Sequence, residues 1–293
     1  MRLDKINPFE SAIKKNRPLI LDGAIGSQLH KMGADNSTPL WSSKANVDSP
    51  ELVFRLHQKY IEAGADIITT NTFRTNPAAV NQLHGYSVSK LVKAAVRLAH
   101  SAAKQKFLLI AGSNAPAEDC YKYERKLTHK ELTSNHTKHI DLLIDNGVNF
   151  ILNETQSHFD EIKIICTHCA ENNIPFVVSL FSADSNTILS GEQLTEVINF
   201  IESYDPLAIS INCVSLLSFE KIKKSFNTIF PKGFYLNLGL SQYSENKIKR
   251  AVSPDKYSEF VKKHIDNSTG FVGSCCGSSP AHTKMLKEVI NDL

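Results

Sequence analysis

The apolar residues of this chain gather in eight short runs, each apolar at successive positions. In order they are "PLILDGA" from Pro18, "ADIITTNTF" from Ala65, "KFLLIAGS" from Lys106, "NFILNET" from Asn149, "PFVVSLFS" from Pro175, "LAISINC" from Leu207, "GFYLNLG" from Gly233 and "GFVGSCCG" from Gly270. A strand with one wet face alternates apolar and polar residues. A run that does not alternate describes a strand covered on both faces, as in parallel sheets. Between the runs lie segments of helical period, such as "SPELVFRLHQKYIEAG" before the second and "SKLVKAAVRLAHSAAKQ" before the third. Ser49 and Pro50 read as a helix start, with Ser as cap and Pro at the first helical position. Gly64 and Gly147 read as the turns that end two helices. Strand and helix alternate eight times, which predicts a single α/β domain, a (β/α)8 TIM-type barrel over residues 1–293. The segment up to about Arg17 is expected to close the bottom of the barrel. A dinucleotide-binding sheet is disfavoured, because "DGAIGSQL" after the first run has two glycines where that fingerprint needs three.

Composition narrows the functional classes. The chain has 293 residues, 42% of them apolar and 22% charged, with a formal net charge of +3. The charges are scattered and nearly balanced, so neither nucleic acid nor an anionic membrane is expected as a partner. The N-terminus has no signal-peptide core, and no apolar run approaches the roughly 18 residues of a membrane span, which predicts a cytoplasmic protein. In that reducing compartment the six cysteines are expected to be thiols or metal ligands.

Barrel enzymes carry their chemistry at the C-terminal ends of the strands. Those ends hold Asp22-Gly23-Ala24, Asn71-Thr72, Asn153-Glu154, Asn212-Cys213, Asn237 and Cys275-Cys276. A disulfide between the neighbours Cys275 and Cys276 would be strained, since a bridge needs Cα atoms farther apart than adjacent residues allow. Flanking Gly273 and Gly277 instead let the backbone turn both sulfurs toward one ion, and Cys213 supplies a third sulfur from a nearby strand end. Three thiolates leave one tetrahedral position open, the mark of a catalytic zinc site, and soft sulfur ligands select zinc over magnesium or calcium. The pair in "CTHC", Cys166 and Cys169, falls on one apolar helical face with Ile162 and Ile165 and reads as core. Cys120, in a polar loop, is assigned no role. Asp22 can cap a helix or bind a cation; Glu154 can pair with a lysine or do the same. Two carboxylates at one mouth suit a substrate ammonium, and the amides of Gly23 and Ala24 suit an anion. Together they describe an amino acid as ligand.

In order along the chain, "LDGAIGSQL", "LWSSK", "ITTNTF", "ILNET", "INC" and "GSCCGSSP" resemble the homocysteine S-methyltransferase family. The resemblance implies that Cys213, Cys275 and Cys276 bind zinc and act catalytically through it. It also implies that Asp22 and Glu154 contact the homocysteine amine and that amides near Gly23 receive the carboxylate. Asn71, Thr72 and Asn237 complete the expected substrate-binding set. The expected partners are small molecules: homocysteine, which becomes methionine, and a methyl donor. The chain length favours S-methylmethionine or S-adenosylmethionine as donor, with no module for folate or cobalamin. The alternatives are methyl transfer from a separate corrinoid protein and a non-catalytic zinc- or thiol-binding barrel. Two loops depart from the family pattern and bear on the donor: "GSNAPAEDCYKYE" after the third strand and "NLGLSQYSENK" after the seventh.

Overall fold

A computed structural model describes residues 6–35, 39–104, 108–182, 186–239 and 252–292. All eight runs become strands: β1 Leu19–Ile20, β2 Ile67–Thr69, β3 Leu109–Asn114, β4 Phe150–Gln156, β5 Phe176–Leu180, β6 Ala208–Asn212, β7 Lys232–Leu236 and β8 Thr269–Ser274. Every neighbouring pair is parallel, and β1 pairs with β8. The ring closes between β1 and β2 through a bridge from Leu21 to Ile67, beside which the Asp22 amide donates to the Ile67 carbonyl at 3.0 Å. The fold is a single (β/α)8 barrel.

The unbroken apolar runs follow from this geometry. Successive strand residues point to opposite faces. Phe150 and Leu152 of β4 enter a cluster inside the barrel, while Ile151 between them joins the larger cluster under the helices. Val177 against Val178, Ala208 against Ile209 and Phe271 against Val272 repeat the division. Gly233 in β7 is required by this packing, since a Cβ there would lie 2.1 Å from Cε1 of Phe271.

The N-terminal segment closes the lower end. Asn7 caps the helix Pro8–Lys14 by accepting from the Phe9 amide, with Pro8 in the first turn. Phe9 is fully buried inside the barrel, edge-on to Phe150 at 5.7 Å and tilted on Phe271 at 5.1 Å. Gly64 and Gly147 take positive φ at the ends of their helices. Ser49 differs from expectation. It precedes the helix Pro50–Glu62, but its side chain caps nothing, because it also ends the helix Ala45–Asp48 and its backbone is bent between the two.

Candidate metal and substrate site

Near the top of the barrel the inward positions change character. Two residues beyond Ile67, Ala111, Leu152 and Val177 stand Thr69, Ser113, Glu154 and Ser179. The apolar plug therefore gives way to a polar floor, above which opens a cavity of about 460 Å³. Its wall includes Asp22, Glu154, Cys213, Cys275 and Cys276.

The three cysteines meet as the sequence predicts. The Cys276 sulfur lies 3.9 Å from both others, and the Cys213 and Cys275 sulfurs are 2.7 Å apart. Among the described residues they form the one group of three or more His, Cys, Asp or Glu side chains placed to hold a metal. Zinc–sulfur bonds of about 2.3 Å at tetrahedral angles put sulfurs roughly 3.8 Å apart, so two of the three separations already fit and the third opens by about 1 Å. The Cys275 thiol is held well above the usual thiol range, first by its contacts with Cys213 and Cys276 and then by burial.

Cys213 has φ +58, in the left-handed region, as have Thr155 (+58) and Trp41 (+47), and all three line the cavity. Among the described residues, the other non-glycine positions with positive φ are Asn16, Asn173 and Asp205, residue types that tolerate this region, whereas Trp, Thr and Cys do so at a cost. Thr155 sits at an irregularity in the β4–β5 pairing between Asn153 and Gln156. Asn212 holds it there, accepting from the Thr155 amide and donating to its hydroxyl, both at 2.9 Å. The preceding residue, Glu154, inward by the parity of β4, lines the mouth.

Both carboxylates are held at the mouth by hydrogen bonds. Asp22, 2% exposed, accepts from the Thr69 amide and hydroxyl at 2.9 Å. It does not cap a helix: the helix Gly26–Lys31 has Ile25 at its start and no side-chain cap. Burial raises its pKa well above the carboxylate range against the lowering effect of Thr69. Glu154 accepts from the Ser113 hydroxyl and, at 3.5 Å, from Tyr235, and among the described residues it forms no ion pair. Burial pushes its pKa up to about 7. Two acids raised together lack a positive partner, and an ammonium would supply one.

Gly23, Ala24 and Asn71 also line the cavity. The Ala24 amide is already engaged, donating to Ser278 Oγ at 2.9 Å, so it is not the free anion donor expected. Asn71 donates to the Ser42 carbonyl at 2.9 Å and to Asn46 Oδ1 at 3.0 Å, fastening "LWSSK" to the top of β2. Two expected contacts do not reach the cavity wall. Thr72 is fully buried behind it, donating to the Ser113 carbonyl at 2.7 Å. Asn237 accepts from the Gly239 amide at 2.9 Å and so shapes its own turn. Cys166 and Cys169 are fully buried in the cluster under the helices, with burial raising both thiols, as the core reading requires. Beside them, His168 pairs with Asp141 at 2.7 Å.

Several residues at the site were given no role by the sequence. Trp41 stacks on Phe73 at 5.6 Å with Arg74 over its ring at 5.3 Å, walling one side. Tyr121 donates to Cys213 Sγ at 3.3 Å from the loop after β3. Cys120, beside it in the same loop, is buried. Asn114, a departure from the family pattern at the end of β3, donates to Asn153 Oδ1 at 2.7 Å and accepts at Oδ1 from His139 Nδ1 at 2.9 Å. The other departing loop lies mostly outside the described residues.

Comparison with known proteins places the chain. The family described as "Homocysteine S-methyltransferase" matches residues 19–290. Homocysteine S-methyltransferase 2 of Arabidopsis thaliana is 25% identical over 93% of each chain, and the selenocysteine methyltransferase of Astragalus bisulcatus 24% identical over 94% of this chain and 93% of that one. The metallated form of the Escherichia coli homocysteine methyltransferase MmuM has the same fold, with a TM-score of 0.80 at 24% identity over 96% of this chain and 99% of that one. By the extent of that family match, carried through every strand of the barrel, the chain belongs to the homocysteine S-methyltransferase family.

Proposed function

We propose that this protein is a methyltransferase that moves a methyl group onto the thiol of homocysteine, giving methionine, at a zinc site made by Cys213, Cys275 and Cys276. The observation that carries this reading is the meeting, in one cavity, of three cysteine sulfurs within 4.8 Å of one another and two carboxylates, Asp22 buried and Glu154 half-buried, that form no ion pair among the described residues. Zinc bound by the three sulfurs supplies a Lewis acid that makes an entering thiol ionise near neutral pH. The remaining chemistry belongs to the chain. Asp22, fixed by Thr69, and Glu154, fixed by Ser113 and Tyr235, hold the substrate ammonium, and the substrate carboxylate lies toward Gly23. That clamp fixes the acceptor, so the thiol presents one lone pair to the donor. The stacked rings of Trp41 and Phe73, with Arg74 over the indole, wall one side of the cavity, and the donor in this reading is S-methylmethionine or S-adenosylmethionine. The cavity takes small molecules, and among the described residues no helix is long and apolar enough to cross a membrane. Three reduced thiols at the site suit a cytoplasmic setting.

Metal analysis tests the ligand set. The purified protein should carry one zinc per chain, and Cys213→Ser should lose it. Cys166→Ser and Cys169→Ser should retain it, because both residues lie under the helices. Equal loss in those variants would overturn the ligand assignment. A methyl-transfer assay with each sulfonium and homocysteine then identifies the donor.

A further inference from the structure

Tyr121 has no part in the chemistry above, yet its hydroxyl donates to the sulfur of Cys213 at 3.3 Å. Its ring meets Phe181 edge-on at 5.0 Å. The loop that carries it is tied down on both sides. The Ala117 amide donates to Glu161 at 2.8 Å, and that carboxylate also bonds His136 at 2.6 Å and Arg125 at 3.2 Å. Arg74 donates to the Glu118 carbonyl at 3.0 Å, and the Glu118 carboxylate accepts from the amides of Lys126 and Leu127 at 2.9 and 3.1 Å. The hydroxyl is therefore delivered to the sulfur by a braced arm.

We propose that Tyr121 is a positioning residue for the metal centre: its hydroxyl fixes the Cys213 sulfur and, by hydrogen bonding to it, weakens that sulfur as an electron donor to the metal. A donor hydrogen on a ligand thiolate withdraws charge from the sulfur, as partners outside the ligand set commonly do at metal sites. The three sulfurs are then unequal. Cys213 gives less charge than it otherwise would, and the metal is a stronger acid toward an incoming thiol. The inference rests on the metal reading of the three cysteines.

Cobalt in place of zinc makes the sulfur visible, because the energy of sulfur-to-metal charge transfer rises as the sulfur is made harder to oxidise. The parent protein, Tyr121→Phe and Tyr235→Phe are each loaded with cobalt and their spectra recorded. Tyr121→Phe keeps the ring against Phe181 and removes only the hydroxyl, so its charge-transfer band should move to longer wavelength. The Tyr235→Phe band should stay with the parent, since that hydroxyl points to Glu154. Coincident bands for the parent and Tyr121→Phe would overturn the role of Tyr121 and leave the metal centre standing. A parent protein with no sulfur-to-cobalt band at all would instead overturn the metal reading, and this inference with it.

Discussion

Glu154 joins local backbone geometry to electrostatics. The parity of β4 turns its carboxyl into the mouth beside the irregularity at Thr155, and desolvation there pushes its pKa up to about 7. Above pH 7 the ligand-free protein presents the carboxylate; below it the neutral acid, which cannot pair with an ammonium. Affinity for homocysteine should therefore fall by up to about tenfold per pH unit below 7, more steeply than for 3-mercaptopropionate, which has the thiol but no amine. Glu154→Gln should weaken homocysteine by about ten to over a hundredfold, the worth of a charge-assisted hydrogen bond at about 1.5–3 kcal/mol. It should leave 3-mercaptopropionate nearly unaffected and zinc content unchanged. Calorimetric titration of both thiols measures this, and equal weakening would show that Glu154 only shapes the barrel.

The elements divide labour along the barrel axis. The strands present apolar side chains to each other below and polar ones above, and the helix Pro8–Lys14 seals the apolar end with Phe9. Its ring packs against both Phe150 and Phe271. Phe9→Ala should cost about 3–5 kcal/mol in urea unfolding, the usual range for emptying a buried aromatic site. Zinc content of the folded variant should match the parent, because the cysteines stand at the opposite end of the strands. Joint loss of metal and stability would mean that the two ends of the barrel are coupled.

At the scale of the whole molecule, acid should unfold this protein through buried imidazoles. His57, on the helix Pro50–Glu62, is fully buried, and among the described residues neither ring nitrogen has a hydrogen-bond partner. Burial lowers its pKa to about 4, and burial with His136 nearby lowers that of His139 to about 3. A histidine lowered from about 6.5 takes up its proton more readily in the unfolded chain. Its contribution is complete above pH 6.5 and is lost as pH falls toward 4, by about 3 kcal/mol for His57 alone. Urea midpoints at pH 7 and pH 4 should show His57→Leu losing about 3 kcal/mol less than the parent. An equal loss in both proteins would place the acid sensitivity elsewhere.

The sequence by itself pointed to the barrel: eight runs without alternation ask for parallel strands covered on both faces, and eight strand–helix repeats without a dinucleotide-binding fingerprint favour closure over an open doubly wound sheet. It also determined the three sulfurs and the two acids, since the ends of parallel strands fall on one rim whatever their separation along the chain. A rim position does not fix where a side chain points, and there the tertiary structure decided. Thr72 and Asn237 stand at strand ends like Asn71, but their polar atoms are used by β3 and by the Gly239 turn. Ser49 has the composition of a cap and a backbone that prevents it. Ser113, Tyr235 and Asn212 sit in apolar runs as minor interruptions. They acquire meaning only once the inward parity of each strand is known and their hydroxyls and amide are seen to hold Glu154 and Thr155. Tyr121 lies 92 residues from Cys213 on a loop with no periodicity, and its place beside the sulfur depends on buried bonds to Glu161 and Arg74 that only the folded chain brings together.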